Sequence, residues 1–311
     1  MFKKPRLTTF FLFLPLMSLM FCFNAPKNDD EKMSTIMVSV KNTLAYLHYS
    51  PKPFNDAYSK DVYKHYFEMV DPAKRYFLQT DMDEFAKHET KLDDYIASGD
   101  LVFFKLTTDR LLQRVDEIDL MTKEIFKSPI DLDTDETIIL ESKTKKAPKD
   151  KTELRAEWTK YVKYNILQEM ESLNAKEKNQ KELKDSLQRN KLKDTITLKI
   201  LTPEQKRIKA TDEVKDLLSD SFRRFKRVKR MEWFSRYMNA YAEIFDPHTN
   251  YFSPQDKDDF DTSFKGKIIG IGAIIQEKKG YLYLGALRIG APAWKSKKLT
   301  EGDKTSKLKS T

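Results

Sequence analysis

The chain has 311 residues, 40% of them hydrophobic and 12% aromatic, enough to bury a sizeable core in one large or two ordinary domains, which excludes disorder throughout. Its 57 basic and 48 acidic residues leave a net charge of +9. The two signs alternate along helical faces as on a solvated surface, and no nucleic-acid reader motif occurs, so no nucleic acid is expected among its partners. Lys3, Lys4 and Arg6 precede an apolar run from Leu7 to Phe23 with Pro15 inside it, the pattern of an export signal. Ala25 suits the last position before a cut, but Phe23 is too large for the small-residue slot upstream. The segment is therefore either a signal peptide over 1–25 or an uncleaved membrane anchor, the latter disfavoured by Pro15 and the short run. Cys22 is the single cysteine, and Phe21 stands where a lipoprotein signal has a small residue. The rest of the chain needs neither a disulfide nor a thiolate metal site.

From Met33, the apolar residues Ile36, Val40, Leu44 and Leu47 recur at helical spacing until Ser50-Pro51-Lys52-Pro53. A second helix is expected from Asn55 to Val70, stopped by Asp71-Pro72, after which Tyr76-Phe77-Leu78 should pack back on the bundle. Thr80 fits the N-cap of a third helix reaching Ser98, with Asp81, Asp83 and Glu84 in its first turn. Beyond Gly99-Asp100 a longer helix carries Phe104, Leu111, Leu112, Val115, Ile118 and Ile125 on one face and closes at Ser128-Pro129. The segment from Asp131 to Asp150 lacks helical periodicity; Thr137 to Leu140 is a candidate short strand and Lys143 to Lys149 a solvated loop. Helix resumes with Leu154, Trp158, Tyr161, Val162 and Met170. The polar run from Asn174 to Asp194 is either an exposed connector or a helix with little core contact.

Thr202-Pro203-Glu204-Gln205 combines a cap, a proline at the first helical position and a capping-box glutamine. The helical stretch it opens is expected to run to Phe245. Val214, Leu217, Leu218, Phe222, Phe225 and Val228 form its first apolar face, and Phe234, Tyr237, Met238, Tyr241, Ile244 and Phe245 its second. Helical spacing marks these aromatics as core rather than as a stacking surface for bases. Asp246-Pro247 then stops the helix, Pro254 repeats the stop, and His248 to Ser253 must form an ordered turn. Of the 8 glycines only Gly99 precedes Gly266, and after it the pattern turns to strand. Ile268 to Gln276 and Tyr281 to Leu287 read as a hairpin about Lys278-Lys279-Gly280, followed by a short helix from Ala291 to Leu299. Gly270 and Gly272 interrupt the first strand, which permits either a bulge or the close approach of a ligand to the backbone.

Read together, Asp-Pro-His-Thr-Asn-Tyr-Phe-Ser-Pro at 246–254, Gly-Ile-Gly-Ala at 270–273 and Ala-Pro-Ala-x-Lys-Ser-x-x-Leu-x-x-Gly-Asp-Lys at 291–304 resemble the tail-specific, or C-terminal processing, serine peptidases. Asp71-Pro72-Ala73-Lys74-Arg75-Tyr76-Phe77-Leu78 with Asp81 is similar to a motif of the N-terminal domain in the large periplasmic branch of that family. The resemblance implies a mainly α fold: a helical N-terminal domain over 33–246, a linker over 247–265, an incomplete PDZ-like α+β unit over 266–304 and a polar tail over 305–311. It also implies that Gly270, Ile271, Gly272 and Ala273 receive the carboxylate of a peptide added as a strand. Ile269 departs from relatives that often carry an acid there.

By the same resemblance the nucleophile is a serine activated by a lysine in a core that follows the PDZ domain, so no catalytic residue is expected in this chain, which reads as truncated. No Gly-x-Ser-x-Gly turn occurs, and Ser263 and Ser296 lack a nucleophile's setting. His48, His65, His88 and His248 are not at metalloprotease spacing, so neither metal nor other cofactor is expected; His248 reads as a turn histidine bonding to backbone. The expected role is periplasmic proteolysis of proteins with apolar C-terminal tails, with the membrane involved only through an uncleaved signal. The competing expectation is a non-catalytic periplasmic adaptor in which the helical domain holds a partner.

Overall fold

The computed structural model describes residues 28–140, 145–190, 200–264, 270–278 and 281–304. The expected signal segment, Cys22, Ile268, Ile269 and the expected tail from 305 lie outside them. Within them the chain is mainly α, with helices α1 (Asp29–Tyr46), α2 (Asp56–Val70), α3 (Gln79–Phe85), α4 (Leu92–Ser98), α5 (Val102–Ile125), α6 (Lys151–Arg189), α7 (Pro203–Lys226), α8 (Arg230–Ala242) and α9 (Pro254–Phe264). Strands β1 (Ala273–Lys278) and β2 (Tyr281–Leu287) pair antiparallel, and α10 (Pro292–Ser296) comes after them. None of the described helices is long and apolar enough to cross a membrane.

Side-chain caps start most of the long helices. Asn28 accepts the Glu31 amide, Asn55 the Tyr58 amide, and Asp150 the amides of Thr152 and Glu153. At α7 the capping box closes in both directions, Gln205 N to Thr202 Oγ1 at 3.2 Å and Thr202 N to Gln205 Oε1 at 3.0 Å, with Pro203 at the first helical position. Gly99 ends α4 at φ 73° and lies so close to α1 that a Cβ there would meet Ser34 Oγ at 2.3 Å. Only glycine satisfies both conditions.

Two buried clusters share α5. Met33, Met37, Val62, Tyr66, Phe67, Phe103, Phe234, Tyr237 and Tyr241 gather where α1, α2, α4 and α8 meet the first turns of α5. Val115, Ile118, Leu154, Trp158, Val162, Val214 and Phe222 form the second, between the later turns of α5 and helices α6 and α7. Each such side chain contributes about 1.5–3 kcal/mol by leaving water. The phenols in the first cluster have partners: Tyr58 donates to Tyr241 O at 2.9 Å, Tyr241 to Leu92 O at 3.1 Å, and Tyr66 shares a 3.0 Å bond with Thr107 Oγ1.

The structure corrects several expectations. Thr80 caps nothing; Leu78 is the N-cap of α3, because Asp81 is drawn into the interior and takes the Leu78 amide at 2.9 Å. The helix expected to reach Ser98 breaks into α3, a 3-10 turn at Ala86–His88 and α4, which lets α4 pack on α1 and α2. Thr137 to Leu140 form no strand: among the described residues no strand pairs with them, and Thr137 O instead accepts from Lys160 Nζ at 3.4 Å and Leu140 O from Arg75 Nη2 at 3.1 Å.

The stretch from Pro203 to Phe245 is likewise divided, at Arg227 to Lys229, with no glycine or proline to announce it. The break carries the chain from the second cluster, served by α7, to the first, served by α8, and the tilted rings of Phe225 and Trp233 meet across it at 4.9 Å. Leu217, expected on the apolar face, is 52% exposed. The polar run after Asn174 continues α6 to Arg189 as a helix with little core contact. The expected linker contains α9, capped reciprocally by Ser253 and Asp256 and carrying no buried residue. The last helix stops at Ser296 rather than Leu299, because Lys297 turns left-handed at φ 52°.

Candidate functional site

The motif at Asp71 is architectural. Its carboxylate, 2% exposed, accepts the amides of Arg75, Tyr76 and Phe77 at 2.8, 3.0 and 3.2 Å, and Lys74 makes the turn at φ 51°. Burial pushes the Asp71 carboxyl up, and the three amides act against that. The reversal drives Phe77 and Leu78 into the two clusters. Asp81, fully buried, accepts from Arg114 Nε and Nη2 at 2.8 Å each and from Arg110. Burial works to raise its pKa, but Arg114, the Leu78 amide and Arg110 together hold it below the ordinary value.

The second motif clasps the end of the helical domain. Asp246 Oδ1 accepts the His248 amide at 2.8 Å, while Oδ2 accepts the Thr249 hydroxyl and lies 3.2 Å from His48 Nε2. His48 Nε2 also contacts Thr249 Oγ1 at 3.0 Å, and its Nδ1 lies 3.0 Å from Ser50 O and 3.1 Å from Ser50 N. The Thr249 hydroxyl gives its proton to the Asp246 carboxylate, and His48 Nε2 lies against both, which closes the turn on the end of α1. The turn is ordered as expected, but the His248 amide makes the bond, and its ring is exposed. The histidine that matters here is His48, from the other end of the domain. Lys52 Nζ to Ile244 O at 2.5 Å and Tyr251 N to Asn239 Oδ1 at 2.6 Å complete the closure.

The loop from Gly270 to Ala273 enters β1 directly. Gly272 has φ 75°, and a Cβ on it would sit 2.1 Å from that of Ala291. A side chain is thus excluded twice, by backbone conformation and by contact. Among the described residues nothing comes within 4 Å of where a Cβ on Gly270 would stand, and Ile271 is 47% exposed. Ile271 O accepts the Ala293 amide at 2.9 Å and Gly272 O the Arg288 amide at 2.8 Å, which pins the loop to α10 and the end of β2. The register shifts between Ala273 and Ile275, so a bulge is present beside the close approach. The far edge of β2 takes the 302–304 segment, with Leu284 N to Asp303 O at 2.8 Å and Gly302 N to Leu284 O at 2.7 Å. Among the described residues the free edge of the sheet is therefore that of β1.

Residues 40–255 match the family described as Tail specific protease N-terminal domain. The chain belongs to the tail-specific protease family. A Tail-specific protease of Haemophilus influenzae is 26% identical over 279 residues, which cover 89% of this chain. Those residues are 35% of the relative's length, so the chain spans about a third of it. Two of the motifs are turns of this domain: the Asp71 and Asp246 carboxylates each fold a proline-containing turn back on the helices.

Several serine hydroxyls of the described residues are engaged within the fold. Ser59 donates to Asp93 at 2.5 Å, Ser235 to Met231 O at 3.1 Å, Ser263 to Asp259 O at 2.8 Å and Ser296 to Ala293 O at 2.8 Å. Two features are invisible in the sequence alone. His48 is 198 residues from Asp246, and Glu277 of β1 meets Arg227 and Arg223 near the end of α7 at 2.6 and 3.4 Å. Neither pairing leaves a local signal, because polar residues far apart in sequence have no common periodicity.

Proposed function

We propose that this chain supplies the N-terminal helical domain and the beginning of a PDZ-like unit to a periplasmic serine peptidase that degrades proteins selected by apolar C-terminal tails. In this reading Gly270, Ile271, Gly272 and Ala273 receive the tail's carboxylate, and the tail adds as a strand along β1. The observation that carries the reading is the direction of the loop's peptide groups. The carbonyls of Ile271 and Gly272 are both engaged by the 288–293 segment. In a planar trans peptide the next amide points the opposite way, so the Gly272 and Ala273 N–H groups face away from that segment, toward the free edge of β1. Successive amides at a glycine turn form a concavity suited to an anion.

The hydrolytic step belongs to a serine and a lysine that the family resemblance implies in the peptidase core. A lysine serves as base only where burial lowers its pKa enough to take the serine proton near neutral pH. What this chain contributes is selection and presentation of the tail.

Titration of the full chain with a peptide ending in apolar residues, beside its C-terminally amidated twin, tests the assignment. Weak but carboxylate-dependent binding is expected, because a two-stranded sheet holds its edge loosely. It should vanish in Gly272→Val. Equal binding of the amidated peptide, or no loss in Gly272→Val, would remove the loop from the reading.

A further inference from the structure

The last turns of α7 carry cations with two destinations. Lys226 Nζ lies 2.8 Å from Asp116 Oδ1 and 2.8 Å from Asp119 Oδ2, both on α5, which anchors this part of α7 to the helix that the two clusters share. Arg227 Nη2 reaches the other way, to Glu277 Oε1 of β1 at 2.6 Å, and Arg223 Nη2 approaches the same oxygen at 3.4 Å. That nitrogen of Arg223 also holds Asp220 Oδ1, on its own helix, at 2.9 Å. Next to the pair lies a cavity of about 650 Å³ lined by Gln168, Glu169, Glu213, Leu217, Asp220 and Glu277. The space between β1 and helices α6 and α7 is therefore not filled by packed apolar side chains.

We propose that Arg223, Arg227 and Glu277 form a releasable latch that fixes the hairpin against the helical domain. Charge rather than buried area holds the closed state, so added salt weakens it, with a screening length of about 8–10 Å near physiological ionic strength. Release is facile. Arg223 retains Asp220 when Glu277 departs, and the remaining charges, partly exposed already, regain water. The anchored base of α7 and the short β1 strand convert one carboxylate contact into an orientation: β1 starts at Ala273, so holding Glu277 sets where the Gly270–Ala273 loop faces. The latch is a property of this chain whether or not that loop binds peptides.

Hydrogen exchange on the full chain reads it directly. In Glu277→Gln at low salt, the amides of Ala273–Lys278 and Tyr281–Leu287 should exchange roughly three- to tenfold faster, while those of α5 and α8 keep their rates. Arg223→Ala/Arg227→Ala leaves the hairpin sequence intact and should give the same increase, as should high salt on the unaltered protein. Combining the three substitutions should add nothing further, the mark of groups that act through one contact. Unchanged hairpin exchange in Glu277→Gln, or additive increases in the combined variant, would overturn the latch.

Discussion

The imidazole of His48 and the carboxylate of Asp246 lie 3.2 Å apart across 198 residues of sequence. They join the end of α1 to the turn that leaves α8, so the first and last helices of the bundle are closed on one another at the point where the chain departs for α9 and the hairpin. The clasp explains why Asp-Pro-His-Thr occurs there: proline ends the helix, and aspartate then organises the turn through the His248 amide and the Thr249 hydroxyl.

Loss of this clasp should loosen the exit before it loosens the bundle. His48→Ala and Asp246→Asn are each expected to speed proteolytic cleavage in the 247–253 turn severalfold, with the far-UV helical signal unchanged. The Thr249 hydroxyl first, then the His248 amide and His48, hold the Asp246 carboxyl below its ordinary 3.8. A depressed carboxylate pKa gives a contribution that is complete above the unfolded value and is lost as pH falls through the folded one. The cleavage difference between Asp246→Asn and the unaltered chain should therefore be full at pH 6 and narrow only as pH falls below the ordinary 3.8. A difference that persists in acid would assign the effect to shape rather than charge.

The Asp81 network should be worth far more to the fold. Arg114 is nearly buried, and its guanidinium meets Asp81 by two nitrogens. Asp81→Ala leaves that cation in the interior with Glu117 as its remaining carboxylate and also frees the Leu78 amide. Breaking a buried pair from one side costs about 3–5 kcal/mol. Urea denaturation should show that loss, whereas Glu84→Ala, which removes a partly exposed partner of Arg110, should cost less than about 1 kcal/mol. Equal effects from the two substitutions would show that burial does not set the strength of this network.

How far a sequence can be read depends on the kind of signal each feature leaves. Apolar residues at helical spacing announce their own helices, which is why α2, α5 and α7 and their aromatic faces are legible, and the capping box at Thr202 marks a boundary to the residue. The division of α7 from α8 is not legible, because the cause is a change of which cluster the side chains face and no breaker residue is required. In sequence Asp81 is a first-turn acid favourable to the helix dipole; that it is a buried partner of Arg110 and Arg114 depends on α5 crossing it, a tertiary fact. Gly272 stands out in the sequence as a place of close approach, but the approaching group, Ala291, becomes visible only with the hairpin folded.

Peptide hydrolysis should be absent from the purified chain. The hydroxyls of Ser235, Ser263 and Ser296 give their protons to backbone carbonyls where a nucleophile needs a base, and Ser59, which bonds the Asp93 carboxylate, is itself fully buried. Incubation with a reporter peptide of apolar C-terminus is expected to yield no turnover above buffer. Turnover abolished by substituting one of this chain's own serines would reverse the conclusion.

The helical block should fold without the hairpin. Both buried clusters are assembled from α1 to α8, the shared helix α5 lies wholly within the block, and the clasp at Asp246 closes it from inside. By contrast α9 buries no residue, and a charged contact at Glu277 ties β1 back to the end of α7. The apolar burial that stabilises the block therefore owes little to α9 and the hairpin. Limited proteolysis should cut first between 247 and 264 and in the segment after β2, leaving a resistant fragment that contains α1 to α8 and ends close to Asp246. That fragment, expressed alone, should unfold in one cooperative transition with a midpoint within a few degrees of the full chain. Cleavage spread evenly through α1 to α8, or a fragment lacking a cooperative transition, would mean that the hairpin and α9 are needed to hold the bundle together.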